Sequence, residues 1–155
     1  RYKADQIGID AKMITAGREI NESMSNYVAE TAINLMLGKE INILDSRILI
    51  LGFSFKENCP DYRNTKVKDL YDAFVKSGCI VDVFDPQVNQ DDVRKDHEIQ
   101  LISEPGEGIY DAVILAVAHN EFLELKKEIN NYCKEKSVIF DLKHVLDSEI
   151  TDGRL

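Results

Sequence analysis

Ile48-Leu49-Ile50-Leu51-Gly52-Phe53-Ser54-Phe55-Lys56-Glu57-Asn58-Cys59-Pro60-Asp61-Tyr62-Arg63-Asn64-Thr65 is the stretch whose reading decides the fold. It begins as an apolar run with no charge after Arg47, crosses Gly52, and turns polar from Lys56 onward. A helical pattern follows over Thr65–Lys76, with Val67, Leu70, Tyr71, Phe74 and Val75 on one face. Thr65 or Asn64 can cap this helix and Gly78 can end it. Strand, glycine, polar loop and helix in that order is the layout with which α/β domains bind phosphorylated ligands at the carboxyl end of a strand.

Working outward from that stretch, further strand-like runs lie at Cys79–Phe84, Ala112–Val117 and Val138–Phe140, and the first run reads as a strand over Ile48–Phe55. They are rich in Val, Ile, Leu and Phe without clean alternation, as strands buried on both faces of a parallel sheet are. Helical stretches separate them at Thr65–Lys76, Asn89–Asp96 and Asn120–Lys134. Ile99–Ile102 reads as another short strand, because Glu104-Pro105-Gly106-Glu107-Gly108 after it must turn. The alternation predicts an α/β fold: a Rossmann-like parallel sheet with helices on both faces. A long helix precedes it. From Asp10, a plausible N-cap, to Leu37, the residues Met13, Gly17, Ile20, Met24, Val28, Thr31 and Leu35 recur at spacings of three and four. A helix of about 28 residues is roughly 42 Å long, more than a small α/β domain covers from end to end. The expectation is a linker and dimerisation helix over residues 1–44, with Gly17 permitting close helix–helix approach, and a nucleotide-binding unit over 45–155. The alternative is a helix packed wholly within its own domain.

At 155 residues, 44% hydrophobic and 30% charged, the chain has the size and composition of one globular domain with a short appendage. Its net charge of −9 argues against a general nucleic-acid or anionic-membrane binder, which needs a basic face, and leaves room for one local basic pocket for a phosphate. No apolar run approaches the roughly 20 residues that span a bilayer. The sequence starts at Arg1 without Met or signal pattern and reads as a piece of a longer, cytoplasmic protein. Cys59, Cys79 and Cys133 are odd in number and lack ligand spacing, so reduced thiols and no metal site are expected.

Chemistry concentrates in the loop after Gly52. Lys56 stands just beyond the strand, where a cation reaches a phosphate, and Arg63 near the next helix can grip a phosphate or carboxylate through two parallel hydrogen bonds. Phe53 and Phe55 flank this position and would cover a base or sugar, Asn58, Asn64 and Thr65 add donors, and Asp61 would hold Arg63. A surface loop with incidental ion pairs has the same composition, and residue types alone leave both readings open. The turn is not GxGxxG, so the close backbone approach to a pyrophosphate is missing. Asp85 before Pro86 reads as a turn-former, and His119-Asn120 as the start of a helix rather than an acid/base pair. Cys59 lies beside Lys and Arg but has no His near it in sequence. Lys143 is a second cation at a strand's carboxyl end, and in a parallel sheet it opens on the same edge as Lys56.

The run GFSFKENCPDYRNTKVKDL resembles the signature of the nucleotide-sugar 6-dehydrogenases, the UDP-glucose/GDP-mannose dehydrogenase family, and within it the bacterial UDP-N-acetylhexosamine 6-dehydrogenases of surface-polysaccharide synthesis. Ala16–Met24 resembles that family's central helix, Val83-Phe84-Asp85-Pro86 its second C-terminal strand, and Phe140–Asp147 its closing motif. The resemblance implies an N-terminal NAD domain, a long helix that forms the homodimer, and a C-terminal domain that binds UDP; this chain resembles the last two. It implies oxidation of the sugar C6 alcohol to the aldehyde, then through a cysteine thioester to the carboxylate, with two NAD reduced. The nucleophilic cysteine's glycine-rich motif does not occur here, so no catalytic residue is expected in this chain, and Cys59 does not replace it. By the same resemblance Phe55, Lys56 and Lys143 contact the UDP-sugar and Arg63 reaches the NAD of the other domain. Around Lys143, Phe-Asp-Leu-Lys stands where animal UDP-glucose dehydrogenases have Phe-Asp-Gly-Arg, which points away from plain UDP-glucose. Two other readings remain at this stage. One is a stand-alone flavodoxin-like nucleotide-binding or regulatory module, and the other an NAD(P)-binding domain in its own right.

Overall fold

The computed structural model describes residues 12–124 and 128–155. The expected Asp10 cap and the side chain of Met13 lie outside the described residues, as does that of Arg18 within the Ala16–Met24 run that resembles the family's central helix. A helix, α1 (Lys12–Gly38), is followed by β1 (Arg47–Leu51), α2 (Val67–Lys76), β2 (Ile80–Phe84), α3 (Gln90–His97) and β3 (Tyr110–Leu115). Two short helices, α4 (Asn120–Glu124) and α5 (Ile129–Tyr132), then lead to β4 (Cys133–Asp141) and β5 (Gly153–Arg154). The strands form one sheet of order β2-β1-β3-β4-β5, every neighbouring pair parallel. All the carboxyl ends therefore open on one edge.

The continuous apolar runs have the consequence expected of them. Ile48 and Ile50 of β1, with Ala112, Ile114 and Phe140 of the neighbouring strands, face a core built with α1, α2 and α3. Leu49, Leu51, Val113, Leu115 and Ile139 face the opposite core, closed by Phe122 of α4 and Ile129 of α5. Because successive strand side chains alternate between faces, both sets must be apolar, and a three-layer Rossmann-like sandwich results.

Several boundaries differ from the expectation. The first strand ends at Leu51, not Phe55. Gly52 turns out of the ladder at φ +95°, a conformation that favours glycine, and a Cβ there would lie 2.5 Å from Val117 Cβ. The next helix begins at Val67 rather than Thr65, and the Thr65 hydroxyl accepts the Val67 N–H. The expected helix over Asn120–Lys134 is replaced by α4 and α5, with Leu125–Lys127 outside the described residues, and Cys133 already belongs to β4. That early start carries a register shift: β4 takes Cys133 to Val138 while β3 takes only Tyr110 to Ala112. Ile99–Ile102 is not assigned as a strand. It lies beside β2 and makes one ladder-like bond, Ile102 N–H to the Val83 carbonyl, with Ile99 and Leu101 buried in the core.

In α1 the buried stripe is Ser25, Val28, Ala29, Ala32 and Met36, about one residue around from the expected Met24–Val28–Thr31–Leu35 line. The alanines let the helix lie close to the sheet and leave Thr31 and Leu35 at the flanks. The amino-terminal part behaves differently: Ala16, Gly17 and residues 19–23 are exposed, Ile20 at 61%. Nothing lies within 4 Å of a Cβ built at Gly17. Among the described residues no helix is long and apolar enough to cross a membrane, and no group of metal-ligating side chains occurs.

Candidate functional site

The carboxyl edge of the sheet and the middle of α1 enclose a cleft of ≈ 910 Å³. Its floor is Ala116 and Val117 beyond β3, its walls include Met24 and Ser25 of α1 and the Asn64–Leu70 segment that opens α2, and Phe55 and Lys143 stand at its rim. The wall from α1 is held to α2 by the buried Ser25 hydroxyl, which donates to the Lys66 carbonyl at 3.0 Å.

Two buried carboxylates organise the loops that reach this cleft. Asp85, at the end of β2, accepts the N–H groups of Phe53 (2.6 Å) and Ser54 (2.8 Å) through Oδ2 and that of Gln87 (2.8 Å) through Oδ1. Burial raises its pKa, but the bonds from His119, Phe53, Gln87 and Ser54 outweigh burial and hold the carboxyl below its ordinary value. Asp85 is therefore a turn-former, as expected, and also the anchor of a loop from a neighbouring strand. Asp141, at the end of β4, accepts the N–H groups of Lys143, Val145 and Leu146, each at 2.8 Å.

His119 was expected only to open a helix. It does so, since its carbonyl accepts from Phe122 and Leu123, but its ring is also fully buried in the loop framework. Its Nδ1 accepts the Asn58 N–H at 2.9 Å, which places the ring proton on Nε2. Nε2 lies 3.1 Å from Asp85 Oδ2 and 3.0 Å from Ser54 Oγ, whose hydroxyl donates to the Lys56 carbonyl. Ser, His and Asp are thus adjacent, but the serine is 1% exposed and the carboxylate shares the ring nitrogen that faces it. The arrangement braces the loop and presents no nucleophile to a substrate. Among residue-type signals only the apolar run before His119 hinted at its burial; nothing in sequence spacing pointed to its meeting with Asp85 and Ser54.

The predicted site residues separate on this framework. Phe53 does not flank the site. Asp85 draws its backbone inward, and its ring is fully buried against Tyr62 and His97. Phe55 is 53% exposed at the cleft rim, and the Lys56 ammonium lies 6.0 Å from the centre of its ring. The Phe55 N–H donates to the Asp61 carbonyl at 2.7 Å, pinching the loop at its neck. Arg63 sits on the far limb with its side chain 79% exposed, gripped through Nε and Nη2 by Asp61, whose carboxyl the Arg63 bond lowers to about 2. Phe55 and Lys143 share the cleft; Lys56 and Arg63 point from the same loop outside its lining. The Lys143 ammonium meets Glu57 at 2.8 Å, a bond that holds Glu57 below the usual carboxylate range. Cys79 and Cys133 pack inward, and burial pushes both thiols up.

The turn after β1 lacks the GxGxxG glycines. Gly52 packs closely on Val117, whose backbone nitrogen lies 3.0 Å from the position of an added Cβ.

Comparison with known proteins shows the family and the fold. The UDP-N-acetyl-D-glucosamine 6-dehydrogenase of Salmonella typhi is 45% identical over 155 residues, covering 99% of this chain and 36% of the relative. The protein of the same description in Pseudomonas aeruginosa is 41% identical, covering 99% of this chain and 37% of its own. The chain thus spans little more than a third of the curated relatives it matches. The solved UDP-D-ManNAc dehydrogenase of Pyrococcus horikoshii superposes with a TM-score of 0.78 over 97% of this chain and 35% of its own; at 22% identity this shows the fold alone. The profile of the UDP-glucose/GDP-mannose dehydrogenase family, UDP binding domain, matches residues 49–148, from β1 through the Asp141-anchored turn, and the chain therefore belongs to that family.

Proposed function

We propose that this chain is the central-helix and UDP-sugar-binding portion of an NAD-dependent nucleotide-sugar 6-dehydrogenase that oxidises a sugar C6 alcohol to a carboxylate. UDP-N-acetylhexosamine is the proposed substrate, in keeping with the names of the relatives above 40% identity. The observation that carries the reading is the cleft at the carboxyl edge, with a partly exposed phenyl ring and an ammonium at its rim. Phe55 would cover part of the ligand and Lys143 would meet its phosphates at the rim, while Lys56, outside the lining on the same loop, would swing its flexible side chain toward them. NAD supplies the hydride acceptor. The absence of a GxGxxG turn after β1 supports binding of NAD mainly by a domain outside this chain, with Arg63 reaching toward it. The chain by itself would then bind without turning substrate over. Residues 1–44 would link the halves and form a homodimer of a cytoplasmic enzyme, with residues 45–155 as the UDP-binding domain. Asp substitutions at Ile20 and Met24 are expected to give monomers by sedimentation, and a dimer that survives both would remove this face from the interface.

Calorimetric titration with UDP, with ADP and NAD as controls, tests the proposal. Saturable binding of UDP alone is expected. Binding of NAD in its place would overturn the assignment. If the chain binds none of the three, the same titration on the full-length protein decides.

A further inference from the structure

Lys143 is held by a carboxylate of its own chain. Its Nζ lies 2.8 Å from Glu57 Oε1, with the side chains 35% and 40% exposed. Both ends of the contact are anchored on buried groups. Next to Glu57, Asn58 donates its N–H to His119 Nδ1, while its side-chain oxygen accepts the Asn120 N–H at 3.0 Å. On the other side of Glu57, the Lys56 carbonyl accepts from buried Ser54. The Lys143 N–H is fixed by buried Asp141. Side chains carried on so fixed a backbone lose less freedom on pairing than those on an unanchored loop. The pair is still accessible enough to solvent to exchange partners.

We infer that Glu57 is a specificity-determining residue, an internal carboxylate that occupies the Lys143 ammonium until the phosphate of a nucleoside diphosphate displaces it. The inference rests on the proposed reading of the cleft as a UDP-sugar site. The displacement is an exchange of anions at one cation, with no bond made or broken. A diphosphate carries more than one negative charge and competes well against a single carboxylate at a shared ammonium. A neutral ligand gains nothing from the exchange. Glu57 thus raises the charge a ligand must bring to use Lys143, and once displaced it turns to solvent.

The test is calorimetric titration of UDP, inorganic pyrophosphate and uridine into the full-length protein as wild type, Glu57→Gln, Lys143→Met and the double variant. UDP and pyrophosphate are expected to bind Glu57→Gln about 2- to 5-fold more tightly, the range that loss of a competing, partly exposed ion pair allows. Uridine affinity should not change, and in the Lys143→Met background the gain should vanish. Wild-type UDP binding that is unaltered or weakened in Glu57→Gln overturns the counter-ion role and leaves the UDP-site reading standing. A gain that persists without Lys143 also overturns it, since removal of negative charge alone would then account for the effect. Failure of UDP to bind any of the four proteins overturns the UDP-site reading and the counter-ion role together.

Discussion

The loop after β1 has an inner and an outer side that are built differently. On the inner side, Phe53 and Ser54 are buried, and Asp85 and His119 fix the backbone through bonds of 2.6 to 3.1 Å. On the outer side, Phe55, Lys56 and Arg63 are exposed, and the one short ion pair formed there by Arg63 is with Asp61, two residues away. The contrast separates two kinds of dependence. Inner groups have no water to turn to when a partner is removed, so changes there should appear as lost stability. Outer groups are solvated with or without their partners, so changes there should appear in binding alone.

The largest effect is expected from Asp85→Ala. It strands the Phe53, Ser54 and Gln87 N–H groups and the His119 Nε2–H, and should cost about 3–5 kcal/mol by chemical denaturation. A loss below about 1 kcal/mol would show that the loop re-forms without its anchor and would erase the distinction between its two sides. Next is Lys56→Ala, which should weaken UDP binding by roughly 1.5–3 kcal/mol while leaving the denaturation midpoint in place. A shifted midpoint would move Lys56 to the inner, structural set.

Acid provides a third probe. The Asp85 carboxyl is held below its ordinary value, so the folded state binds its proton less readily than the unfolded chain does. Its contribution to stability is complete above the unfolded carboxylate pKa of about 4 and is lost as pH falls through the folded value. Asp85→Asn should flatten the pH dependence of unfolding below about pH 4, and an unchanged slope would assign acid sensitivity to other carboxylates. The smallest effect is expected at Arg63→Ala. With a side chain 79% exposed, its pairing with Asp61 should change stability by no more than about 0.5 kcal/mol, read as a nearly unmoved melting curve.

Much of the architecture was legible along the chain. The apolar runs at Ile48–Leu51 and Ala112–Val117 announced strands covered on both faces, and α1 was visible from its periodicity. The boundaries that moved did so for reasons outside the local pattern. Phe53 and Phe55 have the same residue type two positions apart, yet one is core and the other rim, because Asp85 captures the backbone between Leu51 and Phe55 from another strand. The α1 stripe shifted by about a residue because Ala29 and Ala32 permit closer contact with the sheet than Thr31 or Leu35 would. At the site, Lys56 and Lys143 were identifiable as cations at strand ends and Arg63 as one near the start of the next helix, but their present partners were not all visible. Asp61 for Arg63 is local and was expected, whereas Glu57 for Lys143 is distant in sequence and was not.

By itself the sequence determined the class of fold, the edge on which the loops open and the residue types available there. Periodicity and composition act over a few residues, and those features are set at that range. Only the tertiary structure decided that His119 and Asp85 brace one loop, that Val117 fills the space beside Gly52, and that Glu57 reaches Lys143. Each of these joins groups from different strands, and such meetings depend on sheet order and on the depth to which each loop is drawn inward.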